Sequence, residues 1–236
     1  MAKGYRTGVT PKNVRSAQSQ DETLIDIGQV KHQAEDFYEK HKMTILGILI
    51  GLIVIIGGWL GYTYMYQEPK NIEAMEQMYQ AEFLFEKDSF DMALNNPGGG
   101  FAGFAELSET YSSTAAGNLA KYYAAICCLN LHKYEEAKSY LESYKASGDL
   151  MPILKNGALG DVYAELNDFE TALKYYQKAA SEENEFLTPV NLKKIGLLKE
   201  KLGDKEGALK AYKEIKEKYA ESPDGNNIDK YIIPME

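Results

Sequence analysis

Twenty-five consecutive residues between Lys42 and Glu68, MTILGILIGLIVIIGGWLGYTYMYQ, carry no charge. As an α-helix this run is about 37 Å long at roughly 1.5 Å per residue, enough to cross a hydrocarbon core of about 30 Å. A helix that is apolar on every side has no use in a small soluble domain, so the run reads as a membrane span and not as a buried core helix. It divides the chain into a 42-residue head, the span and a body of 169 residues.

The leader is too long for a cleaved signal peptide. No small-x-small site follows the apolar run at a suitable distance, so the span reads as an uncleaved signal anchor. Trp59, Tyr62, Tyr64 and Tyr66 gather at its C-terminal end, and Phe37 and Tyr38 precede it. Aromatic rings at both headgroup levels fit a spanning helix. Lys40, His41 and Lys42 abut the N-terminal end, whereas Glu68, Glu73 and Glu76 follow the C-terminal one. The positive-inside rule then predicts a cytoplasmic N-terminus and a body outside the cytoplasm. Within the span Gly47, Gly51, Gly58 and Gly61 lie within about 80° of one another at roughly 100° per residue. Such a stripe of small residues lets another membrane helix pack backbone to backbone.

Charge is uneven. The head has seven Lys/Arg and six Asp/Glu, a net of +1, while 19 Lys/Arg and 29 Asp/Glu give the rest −10. An acidic body lacks the basic stripe that a nucleic-acid partner needs. It also argues against flat contact with anionic lipid. No P-loop, G-x-S-x-G, HExxH, dinucleotide fingerprint or Cys/His nucleophile pair is present. The three histidines and the adjacent Cys127 and Cys128 have no metal-ligand spacing. Helical neighbours point about 100° apart, so the two cysteines read as core packing and not as a disulfide. The sequence therefore predicts no enzyme activity, no cofactor, no metal and no small-molecule substrate.

The body repeats. LAKYYAAICCLNLHKYEEAKSYLESY, NGALGDVYAELNDFETALKYYQKA and LKKIGLLKEKLGDKEGALKAYKEI align on Ala137, Ala172 and Ala208, spaced 35 and 36 residues apart. Gly160 and Gly196 fall twelve residues before their alanines, and Ala125 holds that place in the first segment. Four residues after each alanine come Leu141, Tyr176 and Tyr212. These segments resemble the tetratricopeptide repeat, a helix–turn–helix unit with a period near 34. Small residues such as Gly160, Ala172 and Ala179 are expected where helices approach. Tyr163, Phe169 and Tyr176 are expected to fill the space between repeats; Lys199 stands where the next unit should have its Tyr163. A single unit leaves an apolar face bare, so several must stack.

Upstream, NIEAMEQMYQAEFLFEKDSFDMAL reads as a degenerate first repeat, with Phe90 and Ala93 matching Phe169 and Ala172. Pro97 and the glycines after it interrupt its second helix. After SPDGNN, the tail IDKYIIPME is expected to fold back as a cap over the last hairpin. In the head, residues 1–22 are expected to be disordered. Residues 23–42 carry an apolar stripe of Leu24, Ile27, Val30, Ala34, Phe37 and His41, an amphipathic helix leading into the span at residues 43–67. The remaining divisions are the degenerate repeat at 68–117, three repeats at 118–222 and the cap at 223–236. The expected fold is all-α: one N-terminal transmembrane helix followed by a tetratricopeptide-repeat α-solenoid.

The full layout resembles the YfgM-like family of ancillary Sec translocon subunits. A short head, an EDFYEKHK helix, a span closing on Gly58, Trp59 and Tyr62, and an acidic repeat body carry the resemblance. It implies a single-pass protein of the bacterial inner membrane with a periplasmic repeat domain. It also implies partners in the SecYEG channel and a membrane-anchored periplasmic chaperone, and a role in handling newly translocated chains. The Pro/Gly loop departs from the pattern. The residues themselves also fit an envelope-assembly subunit or, with opposite topology, a cytosol-facing import receptor.

Overall fold

A computed structural model describes the backbone of residues 27–235 and the side chains of residues 35–235. The expected tail at 1–22 and the start of the amphipathic segment lie outside the described residues. The chain divides into two compact units, one ending at Gly58 and the other beginning at Trp59.

Helix α1 spans Ile27–Tyr62 without interruption, so residues 27–42 of the expected amphipathic segment and 43–62 of the expected span share one element. The helical run Glu35–Phe85 holds an 18-residue window of mean hydropathy 2.5, none of it buried within the chain. It is the one helix among the described residues long and apolar enough to cross a membrane. Leu46, Ile48, Ile50, Ile53 and Ile55 are all exposed on it. A π-helical turn, Thr63–Gln67, follows directly, with the Thr63 hydroxyl donating to the Trp59 carbonyl at 2.9 Å.

The second unit is built from helical hairpins. Helix α2 (Glu68–Phe85) pairs with α3 (Phe90–Asn95), and α4 (Phe104–Thr110) follows a loop. Next come α5 (Ala115–Asn130) with α6 (Tyr134–Ser143) and α7 (Met151–Glu165) with α8 (Phe169–Ala180). The last pair is α9 (Leu187–Lys201) with α10 (Lys205–Lys218). No strand occurs among the described residues.

The same turn closes all four hairpins. Asp88, His132, Asn167 and Gly203 each sit at φ between 55° and 83°, two residues before the second helix starts. The next residue donates its N–H to the carbonyl five residues back: Ser89 to Leu84, Lys133 to Cys128, Asp168 to Tyr163 and Asp204 to Lys199, at 2.8–2.9 Å. This closure satisfies carbonyls that a helix end leaves free. In the last two turns the Asp168 and Asp204 carboxylates also cap the new helix, accepting from Thr171 N–H at 3.1 Å and Gly207 N–H at 2.9 Å.

The first hairpin differs in its second helix. After α3 the chain passes Pro97 and Gly98, Gly99 and Gly100, all three glycines at positive φ, before α4 resumes. Phe104 and Leu107 of α4 are fully buried and close the gap that the short α3 leaves. Beyond α10, Ile228 and Ile232 are buried against Tyr212 and Ile215. Tyr231 stacks on Tyr212 with ring centroids 5.2 Å apart, and Lys216 pairs with Asp229 at 2.6 Å.

Candidate functional site

Repeat packing sets the positions of the exposed side chains. Ala93, Ala137, Ala172 and Ala208 are equivalent by their place after the turn, and each is 0% exposed. Ala179 is buried as well. The residue twelve places before each is Ala81, Ala125, Gly160 or Gly196, and the residue four places after is Pro97, Leu141, Tyr176 or Tyr212. A Cβ on Gly160 would collide with the Tyr176 ring, and one on Gly196 with the Tyr212 ring. Glycine therefore stands where the facing residue is tyrosine, and alanine where the matching position holds leucine. The volumes compensate, as close packing requires.

Tyr163 belongs to both buried clusters and links them. Its ring stacks on Tyr175 at 5.3 Å, and the Lys138 ammonium lies over the same ring at 5.3 Å. Lys199, at the matching place, pairs with Asp204 at 2.7 Å instead. Cys127 and Cys128 are free and fully buried, and burial pushes their thiols up to about 12 and about 11. A group so shielded is a poor nucleophile.

Two adjoining open concavities run across α5, α7 and α9. The first, about 450 Å³, lies between Ile126, Leu129 and Tyr134 on one side and Asp161, Ala164 and Glu165 on the other. The second, about 380 Å³, lies between Ala164, Glu165 and Phe169 and the α9 residues Lys194, Leu197 and Lys201. Tyr176 borders both. These lining residues, apart from Phe169 and Tyr176, which the sequence marks as packing residues, carry no signal beyond ordinary helix-surface composition.

The polar groups between the concavities hold one another. Lys194 Nζ lies 2.7 Å from both Asp161 carboxylate oxygens, and the Tyr176 hydroxyl donates to Asp161 at 2.9 Å. Burial, and then the Asp161 charge, push the Tyr176 phenol well above its ordinary range. Desolvation and a hydrogen bond to Glu165 raise the Tyr134 phenol. Both phenols therefore stay protonated at neutral pH and serve as donors. Lys201 lies over the Phe169 ring at 4.3 Å, and Leu197 is exposed beside it. The surface thus offers apolar contact and both charge signs, the means to hold a polypeptide. Among the described residues no group of three His, Cys, Asp or Glu is placed to hold a metal.

A family model described as a tetratricopeptide repeat-like domain matches residues 35–228. The chain belongs to the tetratricopeptide repeat-like family. Neither a search of curated proteins nor one of solved structures gave a match. The tetratricopeptide repeat-like match takes in most of α1 as well as the four hairpins. Such repeats are a protein-interaction fold, so the surface across α5, α7 and α9 is a candidate protein-binding face. The expected membrane-packing residues lie on α1. Gly47, Gly51, Gly58 and Gly61 have no atom within 4 Å of an added Cβ among the described residues.

Proposed function

We propose that the protein is a non-enzymatic, membrane-tethered scaffold that binds partner proteins across α5, α7 and α9. It serves as an ancillary subunit of the Sec translocon and helps handle secreted chains. One observation carries this reading: an apolar helix left uncovered by the described residues is joined to a repeat array with an open, mixed-polarity surface. The helix supplies attachment to the bilayer and the array supplies recognition.

The cationic flank at Lys40, His41 and Lys42 supports a cytoplasmic N-terminus and a repeat domain outside the cytoplasm, in a bacterial inner membrane. The YfgM-like layout supports the SecYEG channel and a membrane-anchored periplasmic chaperone as partners. The open glycine stripe fits a contact with a partner's membrane helix.

Affinity purification of the full chain in mild detergent tests the proposal. The expected result is co-recovery of the channel, with secreted chains lost when Leu197 and Leu129 are replaced by Asp. Recovery of unrelated envelope components without the channel would overturn the translocon assignment. Release of the chain from membranes by alkaline carbonate would overturn the tether.

A further inference from the structure

The two ends of the repeat array are finished differently. At the C-terminal end Ile228, Tyr231 and Ile232 pack on the last hairpin. At the N-terminal end α2 turns Ala74, Met78 and Ala81 inward, while four large apolar residues on another face stay outside. Ile72 is 50% exposed, Met75 56%, Tyr79 67% and Phe83 41%. At roughly 100° per residue these four lie within about 80° of one another and form one stripe along the helix. A terminal repeat normally carries a polar outer face for solubility, so a bare apolar stripe here needs an occupant.

Charge selects among occupants. Glu68 and Glu86 stand at the two ends of the stripe, and Glu76 and Glu82 flank it. Burial, and then the charge of Glu86 one turn away, raise the Glu82 carboxyl. An anionic membrane surface would repel these carboxylates. A second copy of this chain on the same face would set carboxylates against carboxylates. A cationic partner avoids that repulsion while its apolar side covers Tyr79 and Phe83. Lys87 already places its ammonium 4.0 Å over the Phe83 ring, a local instance of that match.

We propose that the outer face of α2 docks an amphipathic helix of a partner protein whose apolar stripe is flanked by Lys and Arg. This is a second protein-binding surface, distinct from the one across α5, α7 and α9. Tyr79 and Phe83 are its anchors, and Glu68, Glu76, Glu82 and Glu86 set the polarity of the partner it accepts.

The test uses the full chain in maltoside micelles, with empty micelles as blank. A fluorescent 18-residue peptide with leucines on one face and lysines beside them is titrated against its twin with Glu for every Lys. The cationic peptide should bind at least tenfold more tightly. Tyr79→Ala with Phe83→Ala should weaken it at least tenfold, and Glu76→Lys with Glu86→Lys should reverse the order of the two peptides. Glu182→Lys with Glu183→Lys, exposed carboxylates elsewhere, should change little. Equal loss in that control pair would reduce the effect to net charge and overturn the site. So would no binding of either peptide, or binding indifferent to Tyr79 and Phe83. Dimerisation abolished by Tyr79→Ala would assign the face to a second copy and overturn the proposal.

Discussion

The Tyr176 ring lies against Gly160 so closely that the glycine position cannot hold a Cβ. Gly196 and Tyr212 repeat the arrangement one unit later. In the preceding unit Ala125 and Leu141 hold the matching positions, both fully buried. Gly160→Ala should therefore cost about 1–3 kcal/mol through overpacking. Tyr176→Leu in the same chain should recover part of that loss, because the pair then matches Ala125 and Leu141. Urea unfolding followed by circular dichroism measures both, and a double-mutant cycle should give a coupling of about 0.5–3 kcal/mol. Strict additivity would mean that the two residues do not share one space.

Ala172→Phe should cost about 1–3 kcal/mol or more, since the site is fully buried at the meeting of two helices. Ala180→Phe, only half-buried on the same helix, should cost less. Thermal midpoints of the two variants give the comparison, and equal tolerance would put the repeat phase in error.

Gly203 tests the turn by itself. Its φ is +83°, and an added Cβ meets nothing within 4 Å. Gly203→Ala should therefore destabilise by about 1–2 kcal/mol through backbone conformation alone. Gly203→Asn, the type already used at Asn167, should cost less. A loss equal for both would point to a steric cause instead.

The cysteines predict an alkaline effect. Folding raises the thiols from about 9.0 to about 12 for Cys127 and about 11 for Cys128. Raised acid pKa values mean that the folded state holds these protons more tightly. Their contribution to stability is complete below pH 9 and declines as pH rises through the folded values. Cys127→Ala with Cys128→Ala should lower stability near neutral pH through lost packing but flatten its decline between about pH 9 and 11. Both thiols should resist a water-soluble thiol reagent until the chain unfolds; rapid native labelling would contradict their burial.

The glycine stripe makes a separate prediction for the bilayer. Gly51→Leu with Gly58→Leu keeps the segment apolar, so insertion should persist. The larger side chains hold helices apart, and co-purification of a membrane partner should fall. Ile45→Leu with Ile56→Leu should leave it unchanged. Undiminished recovery with the glycine pair replaced would leave partner choice to the repeat array.

Much of this architecture is legible because one residue pattern serves one packing need. Ala137, Ala172 and Ala208 recur because two helices meet there, and the apolar run Met43–Gln67 needs no context to be read. The turns were harder. Asp88, His132 and Asn167 adopt the conformation that glycine signals at Gly203, so residue type conceals their equivalence. Of the surface across α5, α7 and α9 only Phe169 and Tyr176 were legible, and those as packing residues. Asp161 and Lys194 are 33 residues apart, and only the superposition of repeats brings them together. Helix α2 misleads in another way: Met78, Leu84 and Phe85 pack toward the core while Ile72, Met75, Tyr79 and Phe83 face out, so apolar character alone does not identify the buried face.

The central claim is that the surface across α5, α7 and α9 binds polypeptides while α1 holds the chain in a membrane. Site-specific photocrosslinking of the full chain in intact cells tests it most directly. A benzophenone amino acid at Leu197, exposed beside Lys201, is compared with one at Gln177 on α8, outside the two concavities. The account predicts membrane-fraction adducts with other polypeptides from Leu197 and few from Gln177. Equal adducts from both positions, or adducts confined to the soluble fraction, would contradict it.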